Sequence, residues 1–235
     1  MKIPTTLAAL VGAGFLVTSL GPALASSSAT AAQASAPGCV TNGAFIPGGN
    51  GDDVLVGTPF NDLIVAGPGD DVIDGGGGAD TILAGDGDDE VTAGACDDLV
   101  NGGDGADRLL GESGDDRVDG GNGDDAVFGQ SGVDRLDGQS GVDRVDGGFD
   151  DDRLFGGGGV DRVLGFTGAD VLDGGAGDDV LDGGSDDDRL FGGDGDDDLF
   201  GADGRDLLDG QAGPDFAHGG AGPDACVRVA IAVSC

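Results

Sequence analysis

Gly174-Gly175-Ala176-Gly177-Asp178-Asp179-Val180-Leu181-Asp182 is followed at once by Gly183-Gly184-Ser185-Asp186-Asp187-Asp188-Arg189-Leu190-Phe191, and the two stretches align position for position. Gly75-Gly76-Gly77-Gly78-Ala79-Asp80-Thr81-Ile82-Leu83 reads the same way. Followed outward, the register begins at Gly48 and runs without insertion or deletion to Val227, which is 180 residues in 20 units of nine. Position six is Asp in all 20 units, position one is Gly or Ala in all 20, position four is Gly in 16, and position eight is Val, Leu or Ile in 18. Position four fails at Phe60, Cys96, Asp150 and Asp186, and position eight at Ala217 and Cys226. A period this strict is the signature of stacked supersecondary units, none of which can bury its apolar residue alone.

Each position has a physical reading. Glycine at positions one, two and four opens backbone angles closed to other residues, so the chain can turn and aim carbonyls inward. Asp at six, and often at five (Asp52, Asp70, Asp88, Asp124, Asp178), sets carboxylates beside those carbonyls. The result is an all-oxygen, multidentate surrounding that suits a hard cation such as calcium. Positions seven to nine are expected to form a short strand, with eight facing a core and seven and nine facing water.

Composition agrees with that register. The 235-residue chain holds 53 Gly, 44 Asp, two Glu (Glu90, Glu112) and no Trp or Tyr, with a formal net charge of -36. Such a charge repels a phosphate backbone, which excludes a basic nucleic-acid binder. The preference for the shorter carboxylate, 44 to two, says that geometry matters and not charge alone. Thirty of the 44 Asp fall at positions five and six.

The pattern resembles the RTX family of glycine-rich, calcium-binding nonapeptide repeats, G-G-x-G-x-D-x-U-x, over residues 48–227. The resemblance implies an all-β, right-handed parallel β-roll, a β-helix solenoid of about ten two-unit coils that depends on calcium. It implies two columns of ten loops with an ion between successive loops, hence up to about 18 Ca2+. The ligand residues expected on that basis are Asp53, Asp62, Asp71, Asp80, Asp89, Asp98, Asp107, Asp116, Asp125, Asp134, Asp143, Asp152, Asp161, Asp170, Asp179, Asp188, Asp197, Asp206, Asp215 and Asp224. Ten coils at about 4.8 Å each make a rod about 48 Å long. A core one aliphatic residue deep per unit is too thin to order so many glycines against clustered carboxylates, so the metal-free chain is expected to be largely unfolded.

Outside the repeat, residues 1–25 read as a secretory signal peptide: Lys2, an apolar run from Leu7 to about Leu20, and Ala23-Leu24-Ala25 as the cleavage motif. Residues 26–38 read as a flexible lead-in, 39–47 as an N-terminal cap and 228–235 as a C-terminal capping strand. The mature protein is thus expected to be secreted, extracellular, monomeric and free of a membrane span, with calcium as its ligand and any protein or cell-surface partner unidentified. Four cysteines in an exported chain suggest two disulfides with three possible connectivities, of which Cys39–Cys96 with Cys226–Cys235 is preferred.

Seven arginines occupy position seven (Arg108, Arg117, Arg135, Arg144, Arg153, Arg162, Arg189), and three of them have Asp two residues on, which reads as exposed ion pairs. Phe128, Phe155, Phe191 and Phe200 at position nine read as partial shielding of the sheet. No enzyme is expected: His218, the only histidine, has no nucleophile placed beside it, and neither a G-x-S-x-G elbow nor an H-E-x-x-H helix is present. Two rival classes are a disordered acidic calcium buffer or mineral-surface binder, and a cryptic hydrolase. The unbroken register and the aliphatic position eight oppose the first, and the missing nucleophile opposes the second.

Overall fold

The computed structural model describes Cys39 and residues 42–235, so the expected signal peptide and the lead-in lie outside the described residues. Twenty-two strands, numbered β1 to β22 in chain order, form two parallel sheets of 11 strands each, odd-numbered strands in one and even-numbered strands in the other. Along the repeats each paired strand residue lies opposite the one 18 further on, as in Val127↔Val145 and Leu154↔Leu172. Two units therefore make one coil, and the chain is a parallel β-solenoid of about ten turns with no helix among the described residues.

Position eight supplies the core. Leu55, Ile64, Ile73, Ile82 and the equivalent residues up to Leu208 are at most 2% exposed, and they stack between the two sheets as a single file from each. β-Branched and Leu side chains suit this place because each meets its counterpart one coil above and one below, about 4.8 Å away.

The strands are longer than the expected three residues. A typical one, β15 (Val171–Ala176), runs from position seven through position three of the next unit. Parallel pairing resumes past position one, with Gly157↔Gly175 and Gly158↔Ala176 in register. Only positions four to six are left as the turn.

Glycine also works differently at position one than expected. Positions two and four do take left-handed angles, even where the residue is not glycine: Gln130 (φ 81°) and Phe166 (φ 76°) at two, Cys96 (φ 85°) and Asp186 (φ 81°) at four. Position one is instead small because of close approach. A Cβ on Gly174 would lie 2.5 Å from Asp179 Oδ2 and 2.5 Å from the Gly192 carbonyl oxygen.

At the ends, β1 (Phe45–Pro47) pairs with β3 (Leu63–Pro68), and β22 (Ile231–Val233) pairs with β20 (Phe216–Ala221). The last pairing, Phe216↔Ile231, spans 15 residues in place of 18, so the final turn is three residues short. Disulfides join Cys39 to Cys96 and Cys226 to Cys235, with Cα–Cα distances of 6.1 and 5.7 Å.

Candidate metal centre

All 20 position-six aspartates turn inward at the two edges where the sheets meet the turns. Eighteen are at most 4% exposed, and the outermost two, Asp53 and Asp224, are half-buried. Their two oxygens have different partners. Oδ1 accepts a hydrogen bond from the position-six N–H of the preceding coil, as in Asp107 N–H to Asp125 (2.9 Å) and Asp125 N–H to Asp143 (2.8 Å). That bond occurs at all 18 gaps between successive loops, at 2.7–3.1 Å. Oδ2 is buried with no hydrogen-bond partner in 19 of the 20, the exception being Asp62, which accepts from the Thr58 N–H.

A buried, unpartnered carboxylate oxygen is costly, and 19 in two files are far outside what a folded chain tolerates without compensation. Desolvation is the largest cause of a raised pKa at these groups, opposed by the backbone hydrogen bond at Oδ1 and reinforced by neighbouring carboxylates. Asp80, Asp98, Asp116, Asp125 and Asp179 are pushed up to about 7, and Asp152 and Asp188 to about 8. Either a proton or a cation is needed there.

The surroundings fit a hard cation. At a position-one glycine, the space a Cβ would take is bordered by Oδ2 of the same unit and by the position-one carbonyl oxygen one coil on, as at Gly174 and Gly156. Among the described residues no three His, Cys, Asp or Glu side chains converge on one point, so backbone carbonyls would have to complete any shell. Carboxylate plus carbonyl oxygen is the donor set of calcium, and the donor set excludes a soft-metal site. Three units have this space filled by a methyl group: Ala66, Ala84 and Ala93 are buried at position one beside Asp71, Asp89 and Asp98.

Position-five carboxylates play another part, one that the nine-residue pattern alone does not reveal. Their Oδ1 accepts from the position-five N–H of the following coil, as in Val133 N–H to Asp115 and Val142 N–H to Asp124, both 2.9 Å. Nine Asp do this. The ladder stops at Asp196, because Pro214 stands where the next N–H would be. Two Asp–backbone ladders thus run in opposite directions along each edge, and only the inner one leaves oxygens over.

On the outer faces Arg117, Arg135 and Arg144 pair with Asp119, Asp137 and Asp146 at 3.6, 3.5 and 2.6 Å. Arg135 lies 4.1 Å over the Phe155 ring and Arg108 4.8 Å over Phe128, so position-seven arginines cover position-nine aromatics one coil away. Arg228 adds a fourth close pair, with Asp209. His218 is half-buried at position nine and in register with Val233 of β22, and all four cysteines are held in disulfides.

No curated protein matches the chain. Among solved structures it is similar to a hyperactive, Ca2+-dependent, β-helical antifreeze protein from an Antarctic bacterium, at 24% identity and a TM-score of 0.51, over 73% of this chain and 65% of that one. That likeness is one of fold, and this chain spans 65% of the relative's length. The model of the RTX calcium-binding nonapeptide repeat matches in six successive stretches, 47–82, 75–109, 101–136, 128–163, 164–199 and 200–225. With the repeat matched over that span and its acidic oxygens facing a cation-sized need, the chain belongs to the RTX calcium-binding nonapeptide repeat family.

Proposed function

We propose that this is an exported protein whose rod folds on binding calcium at the position-six aspartates, and that it acts outside the cell as a structural or surface-interaction module. The carrying observation is the file of 19 buried Oδ2 atoms without partners. When bound, calcium supplies divalent charge and accepts a multidentate shell of oxygen ligands. The chain supplies the rest: Oδ1 holds each carboxylate in one orientation by its bond to the coil before, and position one stays small enough to admit the ion. Up to about 18 ions, fewer where Ala66, Ala84 and Ala93 fill the cradle, would offset most of the charge of -36. Extracellular calcium, at millimolar levels, is in the range that weak modules of this kind use, and two disulfides agree with an oxidising compartment.

Antifreeze activity is not proposed for this chain. Rows seven and nine change from aliphatic near the N-terminus to Arg, Asp and Phe further along, so no outer face repeats one residue type.

Equilibrium dialysis against 45Ca tests the ligand assignment. Asp125→Ala is expected to remove at least one ion and raise the calcium midpoint of folding, whereas Asp203→Ala, at an exposed position three, leaves both nearly unchanged. Equal effects from the two variants would contradict the assignment.

A further inference from the structure

One stretch of the even-numbered sheet departs from the repeat in a way that calcium binding does not use. On the outer face, Gly148 of β12 (Arg144–Phe149) lies in register between Gln130 of β10 (Ala126–Ser131) and Phe166 of β14 (Arg162–Thr167). The missing side chain at Gly148 opens a cleft of about 310 Å³, floored by Gly147 and Gly148 and walled by Phe128, Phe149 and Phe166. Gln130 and Thr167 give it a polar edge.

The walls are costly to the fold. Phe166 stands at position two with φ 76°, a left-handed angle that an aromatic residue rarely adopts and that glycine takes without strain at Gly148 and Gly184. It is 48% exposed, and Phe149, at a position held in every other unit by a small or polar residue or by Pro, is 64% exposed. Neither ring joins the core, so backbone strain and exposed apolar area are both carried without a packing return. The third wall is preset: the Phe128 ring lies between the guanidiniums of Arg108 and Arg144, at 4.8 and 5.6 Å, and Asp146 clamps Arg144 at 2.6 Å.

The chemistry of the lining selects the occupant. A net charge of -36, with Asp146 on the rim, disfavours an anion. A cation has carboxylates along the whole rod and no reason to prefer this place. The Gln130 amide donates to Glu112 (3.4 Å) and the Thr167 hydroxyl to the Gly148 carbonyl (3.3 Å), and a wholly apolar body would strip water from their oxygen lone pairs without replacing it. A neutral saturated ring with an apolar C–H face and a hydroxyl rim meets the aromatic walls and the polar edge together, and the volume is at the small end for ligand clefts. We propose that this cleft binds a pyranose unit of a neutral glycan. The proposal rests on the surface-interaction reading above and gives that reading its ligand class.

The test uses the calcium-loaded full chain, its fold checked by circular dichroism on the same sample, with cellohexaose, maltohexaose and chitohexaose as probes. Saturation-transfer NMR and calorimetry are expected to show binding of at least one at a Kd of roughly 0.1–1 mM. Phe166→Gly and Phe149→Ser restore residue types that the repeat uses elsewhere, so each keeps the wild-type calcium midpoint while weakening the sugar by about tenfold or more. Binding that persists in chelator, with the rod still folded, supports the cleft and removes the calcium dependence instead. The proposal is overturned if none of the three sugars binds, if Phe166→Gly binds as wild type does, or if octanoate or polygalacturonate takes the cleft in their place.

Discussion

The first six units and the fourteen that follow share one interior register and differ in what surrounds it. Units one to six fill position one with Ala three times, at Ala66, Ala84 and Ala93, and all three methyls join the aliphatic core. Their outer rows are aliphatic at Val54, Val56, Leu63, Val72, Leu83 and Leu99, and Cys39 is tied to Cys96 at the far end of the same segment. From Gly102 onward position one is always Gly, the outer rows turn to Arg, Asp and Phe, and no disulfide appears before Cys226. The N-terminal coils therefore add three buried methyls and a covalent tie to the file of unpartnered Oδ2 atoms, whereas the central coils depend on whatever neutralises that file. The same fold is stabilised in two ways along one rod, and its calcium dependence should be graded.

The largest expected effect comes from the central coils. Asp125→Ala removes both the Oδ1 bond to Asp107 N–H and the free Oδ2, and is expected to destabilise the calcium-loaded rod by about 2–4 kcal/mol, measured by urea unfolding. Gly174→Ala puts a methyl in a cradle as Ala84 does naturally, at a position that needs no left-handed angle but 2.5 Å from the Gly192 carbonyl oxygen, so it should cost one bound ion and loosen the pairing of that coil locally. Loss of no ion would break the comparison at its base.

Protonation gives the next effect. Burial raises the pKa values of the inner aspartates in the folded state, to about 7 at Asp125 and about 8 at Asp152, against an ordinary carboxylate value of 3.8. Between about pH 4 and 8 the folded metal-free chain thus binds more protons than the unfolded chain, and its stability falls as pH rises through that window. Metal-free protein is expected to gain β signal on acidification from pH 8 toward 4. Because a bound cation displaces those protons, the calcium midpoint should rise over the same descent. A midpoint independent of pH would mean that Oδ2 is not the ligand atom.

Smaller still, Cys39→Ser should raise amide exchange in residues 45–101 at limiting calcium and leave 108–189 unaffected, since the tie closes only the first segment. Smallest is Arg117→Gln, where an exposed pair with Asp119 at 3.6 Å is expected to change stability by less than about 0.5 kcal/mol.

How much of this could be read beforehand follows from where the information lies. The period, the core residue at position eight and the inward Asp at six are properties of single positions, and an unbroken register displays them directly. The two ladders are relations between positions 18 apart, and they become visible only when two units are known to make one coil. The longer strands were hidden because a glycine pair reads as a turn, whereas Gly157↔Gly175 continues the pairing. A glycine at position one reads in the sequence as backbone freedom, but its constraint is the crowding of Asp179 Oδ2 and the Gly192 carbonyl. The cleft at Gly148 depends on which side chains neighbour it across three strands, at Gln130 and Phe166, and no single unit contains that fact.

Calcium titration of the chain residues 26–235, followed by far-ultraviolet circular dichroism and calorimetry on one sample, tests the central claim most directly. The account predicts a largely unstructured chain in chelator at neutral pH, with any residual β structure confined to residues 45–101, and a cooperative gain of β signal that accompanies uptake of many ions. A full complement of β structure in excess chelator at neutral pH, or ions taken up with no gain in β signal, would contradict it.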